Sequence, residues 1–224
     1  MRFAAWLAAG VAIWLAACGC SFAQDTSLLP KYGNVPRTEA QRAAEREFVD
    51  AVNLQSGGDL PRAAGEFAMR GWQAANQRQT DEAMRRFNQA WTLDRRCALA
   101  LWGMAALQVN LPGKSASALP LFAEAQKAGA NEINFLVDYA KAVSTAAVET
   151  HNDALMQDAL ARFARIYAKA PRHMLNLQNW AVALFYAGDY ELAWKKVKLA
   201  EATPQKSQLD ARFLAALQSR MPRP

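Results

Sequence analysis

The chain has 224 residues, 52% of them hydrophobic and 21% charged, with a formal net charge of +6. That apolar fraction can bury a sizeable core and excludes wholesale disorder, while only 11 glycines and 9 prolines exclude collagen-like and low-complexity chains. Long stretches free of both breakers favour helix over a many-turned β-sandwich, so the expected class is all-α. Two histidines and three cysteines, in no C-x-x-C or H-x-x-x-H pair, leave little material for a zinc site, and the chain is read as binding no metal or cofactor. The basic residues are scattered among Asp and Glu rather than clustered, which argues against nucleic acid as a partner.

The amino-terminal end belongs to a different physical regime. Met1-Arg2 gives a positive start, and residues 3–17 (FAAWLAAGVAIWLAA) then carry no charge. This run is shorter than the roughly 20 residues a membrane-spanning helix needs, and it has the size of a signal-peptide core. Its ending, Leu15-Ala16-Ala17-Cys18, resembles the lipobox of bacterial lipoproteins. The resemblance implies cleavage after residue 17 and a diacylglycerol on the Cys18 thiol. Gly19 in the next position resembles the outer-membrane-destined pattern, so the expected place is the cell envelope, lipid-anchored, at the outer membrane and facing the periplasm. Ser21-Phe22-Ala23 before Gln24 offers a second, ordinary cleavage site, which would give a soluble periplasmic protein instead. Cys20 is a poor lipid site, with Ala17 three positions before it.

Residues 18–37, punctuated by Pro30, Gly33 and Pro36 and lacking an apolar period, read as a flexible tether. Thr38 with Gln41 three residues on forms a capping-box pattern ahead of a helix over 38–54, which Ser56-Gly57-Gly58-Asp59 ends.

Downstream the chain repeats itself. Ala83, Phe87 and Ala90 fall at i, i+4, i+7, and Ala118, Phe122 and Ala125 give the same spacing thirty-five residues on. Ala193, Val197 and Ala200 give it again, and Ala159, Phe163 and Ile166 a weaker version. Each triplet shares one helix face. Upstream of each lies a large–small–apolar set: Phe67, Gly71, Ala74; Trp102, Ala105, Ala106, Val109; Leu136, Tyr139, Ala140, Val143; Leu177, Trp180, Ala181, Leu184. Gly113 and Gly188-Asp189-Tyr190 fall at hairpin bends, and Pro171 closes the third unit. Arg78 stands at the first bend where Gly113 and Gly188 stand at the second and fourth, Arg95 falls where Pro171 closes the third unit, and the third unit has extra residues near Thr145–Asn152.

Over about residues 64–206 this pattern resembles the tetratricopeptide repeat family. The resemblance implies a right-handed α-solenoid of about four helical hairpins, over about 64–97, 99–131, 133–172 and 174–206. Helices over 38–54 and 207–220 would cap the ends, because a hairpin cannot bury its apolar face alone. In that family several first-helix positions look into a concave groove. Counting within each unit gives Trp72 and Asn76, then Leu107 and Asn110, then Asn134 and Lys141, then Gln178, Phe185 and Tyr186, with Asn179 beside them. Amides can pair with a peptide backbone and aromatics supply rigid contact area. The basic clamp that some family members use for a terminal carboxylate is absent, since Lys141 is the one basic residue on this face.

No catalytic constellation emerges: His151 and His173 sit at a bend and a helix start, no serine lies in G-x-S-x-G, and Asp81-Glu82 occupy a helix's first turn. Cys97 reads as a half-buried free thiol, with a Cys20–Cys97 disulfide left open. The expectation is a non-enzymatic periplasmic scaffold that binds a protein or peptide partner in the envelope, serving pilus or envelope assembly. The alternative is a soluble periplasmic repeat protein binding a glycan or peptidoglycan fragment.

Overall fold

The computed structural model describes residues 25–224. The signal peptide expected over 1–17, Cys18 as the expected lipidation site and Cys20 lie outside the described residues. Ten α-helices follow one another, and there is no strand among the described residues: α1 (Glu39–Gln55), α2 (Leu60–Asn76), α3 (Thr80–Leu93), α4 (Ala98–Val109), α5 (Ser115–Lys127), α6 (Ile133–Thr150), α7 (Asp153–Lys169), α8 (Met174–Tyr186), α9 (Tyr190–Glu201) and α10 (Ala211–Arg220). None of the described helices is long and apolar enough to cross a membrane.

Local chemistry sets the boundaries. The Thr38 hydroxyl accepts from the Gln41 N–H, and the Gln41 side chain accepts from the Thr38 N–H, a complete capping box at the start of α1. Asp59, Asn152, Asp189 and Asp210 cap α2, α7, α9 and α10 by accepting from first-turn backbone N–H groups. The last of these shortens the expected C-terminal cap. The Asp210 carboxylate accepts from the Arg212 and Phe213 N–H groups, so the helix starts at Ala211, and Lys206–Gln208 before it form a 3₁₀ turn.

The helices pair as antiparallel hairpins, α2 with α3, α4 with α5, α6 with α7 and α8 with α9. First helices of successive hairpins also touch one another, α2 with α4, α4 with α6 and α6 with α8, whereas each second helix packs chiefly against the first helices on either side of it. That asymmetry puts the first helices on the inner, closer-spaced side of the stack and the second helices on its outer side. The result is an all-α solenoid of four hairpins.

The repeated triplets are its seams. All twelve side chains, from Ala83–Phe87–Ala90 to Ala193–Val197–Ala200, are buried. Phe87 shows why small residues sit opposite them. Its ring lies between α2 and α4, where a Cβ added to Gly71 would fall 2.5 Å from the ring and one added to Gly103 only 2.2 Å away. Gly103 is thus as much a part of the motif as Gly71, although it follows Trp102 in a helix whose pattern draws the eye to alanines.

The extra residues of the third hairpin lengthen α6 to 18 residues instead of loosening the loop. His151 then turns the chain in the left-handed region, φ +50°, and Asn152 caps α7. The added turn has a structural use. It carries Glu149 to the start of α5, where Lys114 offers no side-chain cap. The Glu149 carboxylate accepts from the Gly113 N–H (3.1 Å), the Ser115 N–H (3.1 Å) and the Ser115 hydroxyl (3.2 Å).

At the first bend Arg78 has φ +61°, a conformation that the second and fourth hairpins reach with Gly113 and Gly188. A side chain is strained there by about 1 kcal/mol. Arg78→Gly is therefore expected to raise stability by about 0.5–1 kcal/mol, read as an upward shift of about 1–4 °C in the thermal midpoint.

The stretch expected to be a flexible tether differs over its described part. Residues 25–34 lie along the outer face of α3. Buried Asn88 donates through Nδ2 to the Ser27 carbonyl (2.8 Å) and the Leu29 carbonyl (2.9 Å). Lys31 pairs with Glu124 on α5, Tyr32 meets the Thr92 hydroxyl, and the Arg37 guanidinium covers the Tyr32 ring at 3.9 Å. Lys31, Tyr32, Gly33 and Asn34 all have positive φ, a left-handed turn that these anchors hold in place. An absence of apolar period signalled a tether, but side-chain amides and cations can fasten a chain that has no apolar face.

Candidate functional site

The inner face carries a trough built from successive first helices. Trp72 of α2 and Trp102 of α4 meet with ring centroids 4.7 Å apart, tilted by 59°. Behind them stand Phe87 and Phe135, each 5.7 Å away edge-on, so neither indole has room to swing. Each indole also reaches one hairpin further along: Trp72 Nε1–H donates to the Leu99 carbonyl (3.2 Å), and Trp102 Nε1–H to Asp138 Oδ2 (3.0 Å). Beside the pair lies an open depression of about 530 Å³, with Met69, Gln73 and Asn76 from α2, Gln77 just after it and Leu99 from α4 on its walls. Two fixed aromatic faces, an exposed methionine and three amides make a surface suited to an extended chain.

Further along, Asn134, Asp138 and Lys141 share one face of α6 at i, i+4 and i+7. The His173 imidazole bridges from the start of α8. Its Nδ1 accepts from the Asn176 N–H (3.2 Å), which leaves the proton on Nε2 to donate to Asn134 Oδ1 (2.9 Å). Burial pushes the His173 pKa below its usual value. Burial likewise raises the Asp138 pKa, against the opposing effects of the Trp102 hydrogen bond, Lys141 and His173. No Lys, Arg or His nitrogen of the described residues lies within ion-pair distance of Asp138.

This carboxylate makes a stability prediction. Because folded Asp138 holds its proton more tightly than the unfolded chain does, its contribution is present in full below the usual carboxylate pKa. That contribution is lost as the pH rises through the folded pKa. Asp138→Asn keeps an acceptor for the Trp102 indole without the charge. The variant should melt higher than the parent at pH 7, and the gap should close as the pH falls towards about 4.

The residues expected to line the groove divide. Trp72 and Asn76 stand at the depression, and Asn134 and Lys141 on the polar stretch of α6. Leu107 is half-buried against the core, and Asn110 is exposed at the C-terminal end of α4. Gln178 accepts from the Asp210 N–H (2.7 Å), which ties it to the start of α10, with half-buried Asn179 next to it. Phe185 packs on Tyr190 (5.6 Å) and Phe213 (6.0 Å) beneath α10, so the terminal helix covers it. Tyr186, 59% exposed, belongs to a separate hollow at the α6–α7 bend with His151 and Gln157. Leu99, Trp102 and Asp138 are inner-face residues that the repeat pattern missed. Trp102 had been assigned to the repeat core because large residues recur there. Asp138 was legible from its spacing to Asn134 and Lys141.

Cys97 is buried just before α4, and burial raises its thiol pKa. No group of three or more metal-ligating side chains exists among the described residues.

No protein-family model matches the sequence, and no curated protein matches it. Among solved structures, that of YrrB, described as a TPR protein with an unusual peptide-binding site, aligns over 68% of this chain and 90% of its own length. The identity is 16% and the TM-score 0.31.

Proposed function

We propose that this protein is a non-enzymatic adaptor of the bacterial cell envelope that holds a peptide segment of a partner protein in the trough along its first helices. The reading is supported above all by the Trp72–Trp102 pair, two immobilised aromatic faces opening on a depression with amide walls. The lipobox-like run Leu15-Ala16-Ala17-Cys18 supports a lipid on Cys18, and Gly19 after it supports an outer-membrane position facing the periplasm. A scaffold fixed to one membrane raises the local concentration of its partner there, the economy on which pilus and envelope assembly rely.

A photo-crosslinking residue at Asn76, on the wall of the depression, tests the partner reading in living cells. One dominant envelope protein captured there, and not by the same probe at Arg85 on the outer face, supports it. Silence at both positions removes it. Cys18→Ala separately tests the anchor: the variant should leave the membrane fraction, and retention there would overturn lipidation. Tilted tryptophans beside amides also suit the faces of sugar rings, which keeps a soluble glycan-binding protein as the second reading. Saturable affinity for a muropeptide, lost in Trp72→Ala, would favour it.

A further inference from the structure

We propose that the trough contains a subsite for a single cationic side chain of its partner, a lysine or arginine that ends at Asp138 after crossing the indole of Trp102. This rests on the peptide-groove reading and names the chemistry of what the groove selects.

Asp138 is a charged group left in an expensive place. It is half-buried, a single indole N–H holds one of its oxygens, and no cation of the described chain pairs with it. Elsewhere carboxylates of this protein have found partners: Glu82 with Arg86, Asp158 with Arg162, Glu45 with Arg95 and Glu191 with Lys195. Lys141, one turn along the same helix face, is exposed and makes no ion pair with it. His173 faces it from α8 but spends both ring nitrogens on Asn176 and Asn134. An unpaired, half-buried carboxylate is destabilising, and a ligand cation is the group that would relieve it.

The approach to it is suited to the same ligand. Trp102 joins the depression to Asp138: its ring lines the first, and its N–H holds the second. The aliphatic stem of a lysine or arginine fits a hydrophobic wall made by Leu99 and two indoles, and a cation is attracted to an indole face. An acidic segment would instead meet Asp138 with like charge. The indole hydrogen bond orients the carboxylate in advance, so little ordering cost remains for the ligand.

The test is selection of random twelve-residue peptides displayed on phage against the mature protein and, in parallel, against Asp138→Asn. The asparagine keeps the hydrogen bond to Trp102, so the variant is expected to fold and still select peptides. Enrichment of Lys or Arg at one position by the parent, lost by the variant, is the expected result. Exchanging that residue for norleucine in a selected peptide should then weaken binding to the parent about tenfold or more and leave binding to the variant nearly unchanged. If both proteins select the same peptides, or the parent enriches a position without a cation, the subsite is overturned while the groove stands. If neither protein selects any peptide, the groove reading falls and the subsite with it.

Discussion

Replacing Phe87 by alanine is expected to cost about 3–5 kcal/mol, the range for emptying a fully buried aromatic site. The ring is wholly buried, touches Trp72, and fills the space that Gly71 and Gly103 leave between two hairpins. The complementary change is Gly103→Ala. Its new methyl group would lie 2.2 Å from Phe87 Cζ and 2.3 Å from Cε1, far inside contact distance. The ring has no retreat, because a Cβ at Gly71 would already meet it at 2.5 Å on the other side. The helices must then separate, at a cost of about 1–3 kcal/mol or more. Denaturant unfolding of Phe87→Leu, of Gly103→Ala and of the Phe87→Leu/Gly103→Ala double variant gives the coupling. The double variant should lose clearly less than the sum of its parts, because leucine vacates the space that the methyl group needs. Strict additivity would mean that the ring and the glycine do not meet.

Removing Glu149 is expected to cost about 2 kcal/mol. Its carboxylate is the cap of α5, supplied by another hairpin, and it accepts from two backbone N–H groups and one hydroxyl at the Gly113–Ser115 turn. Ser115 is fully buried, so its groups find no water when the carboxylate goes. Glu149→Ala should lower the unfolding free energy and accelerate hydrogen exchange at the first amides of α5 more than elsewhere. Glu149→Gln, which keeps one oxygen acceptor but loses the charge, should fall between the two. Equal exchange rates in all three proteins would show that α5 caps itself.

Much of the solenoid was legible because its signal is periodic. A stacked hairpin must bury one face of each helix, and the Ala83–Phe87–Ala90 spacing recurs for that reason alone. The capping box at Thr38 was legible because it is local, two side chains answering two backbone groups three residues apart. What escaped is set by contacts between elements. The strap at residues 25–34 is fastened by Asn88, fifty-nine and sixty-one residues away, and no period marks such a pairing. Trp102 escaped for a related reason: a large apolar residue satisfies a core pattern and a groove wall equally well, and only the neighbouring helix decides. Phe185 erred the other way. Its position within the hairpin is one that opens on the groove, but as the last unit it is roofed by α10.

The fully buried apolar residues do not form one group from end to end. One core runs from Val52 to Ile166 and takes in Ala183, while Ala181, Leu184, Ala193, Trp194, Val197, Phe213 and Leu217 gather into a second, and Met174, Leu177 and Ala200 into a third. Polar ties cross the boundary, the Asn176 amide to the Phe163 carbonyl and the His173 imidazole to Asn134, with Leu160 and Trp180 packed on both sides. A solenoid divided in this way is expected to melt in two stages. Amides of α8 and α9 should exchange through an opening that leaves α2 to α7 protected, giving two plateaus of opening free energy where an undivided stack gives one. The boundary passes beneath the His173–Asn134 contact, so the α8 end of the inner face is expected to open together with α8 and α9.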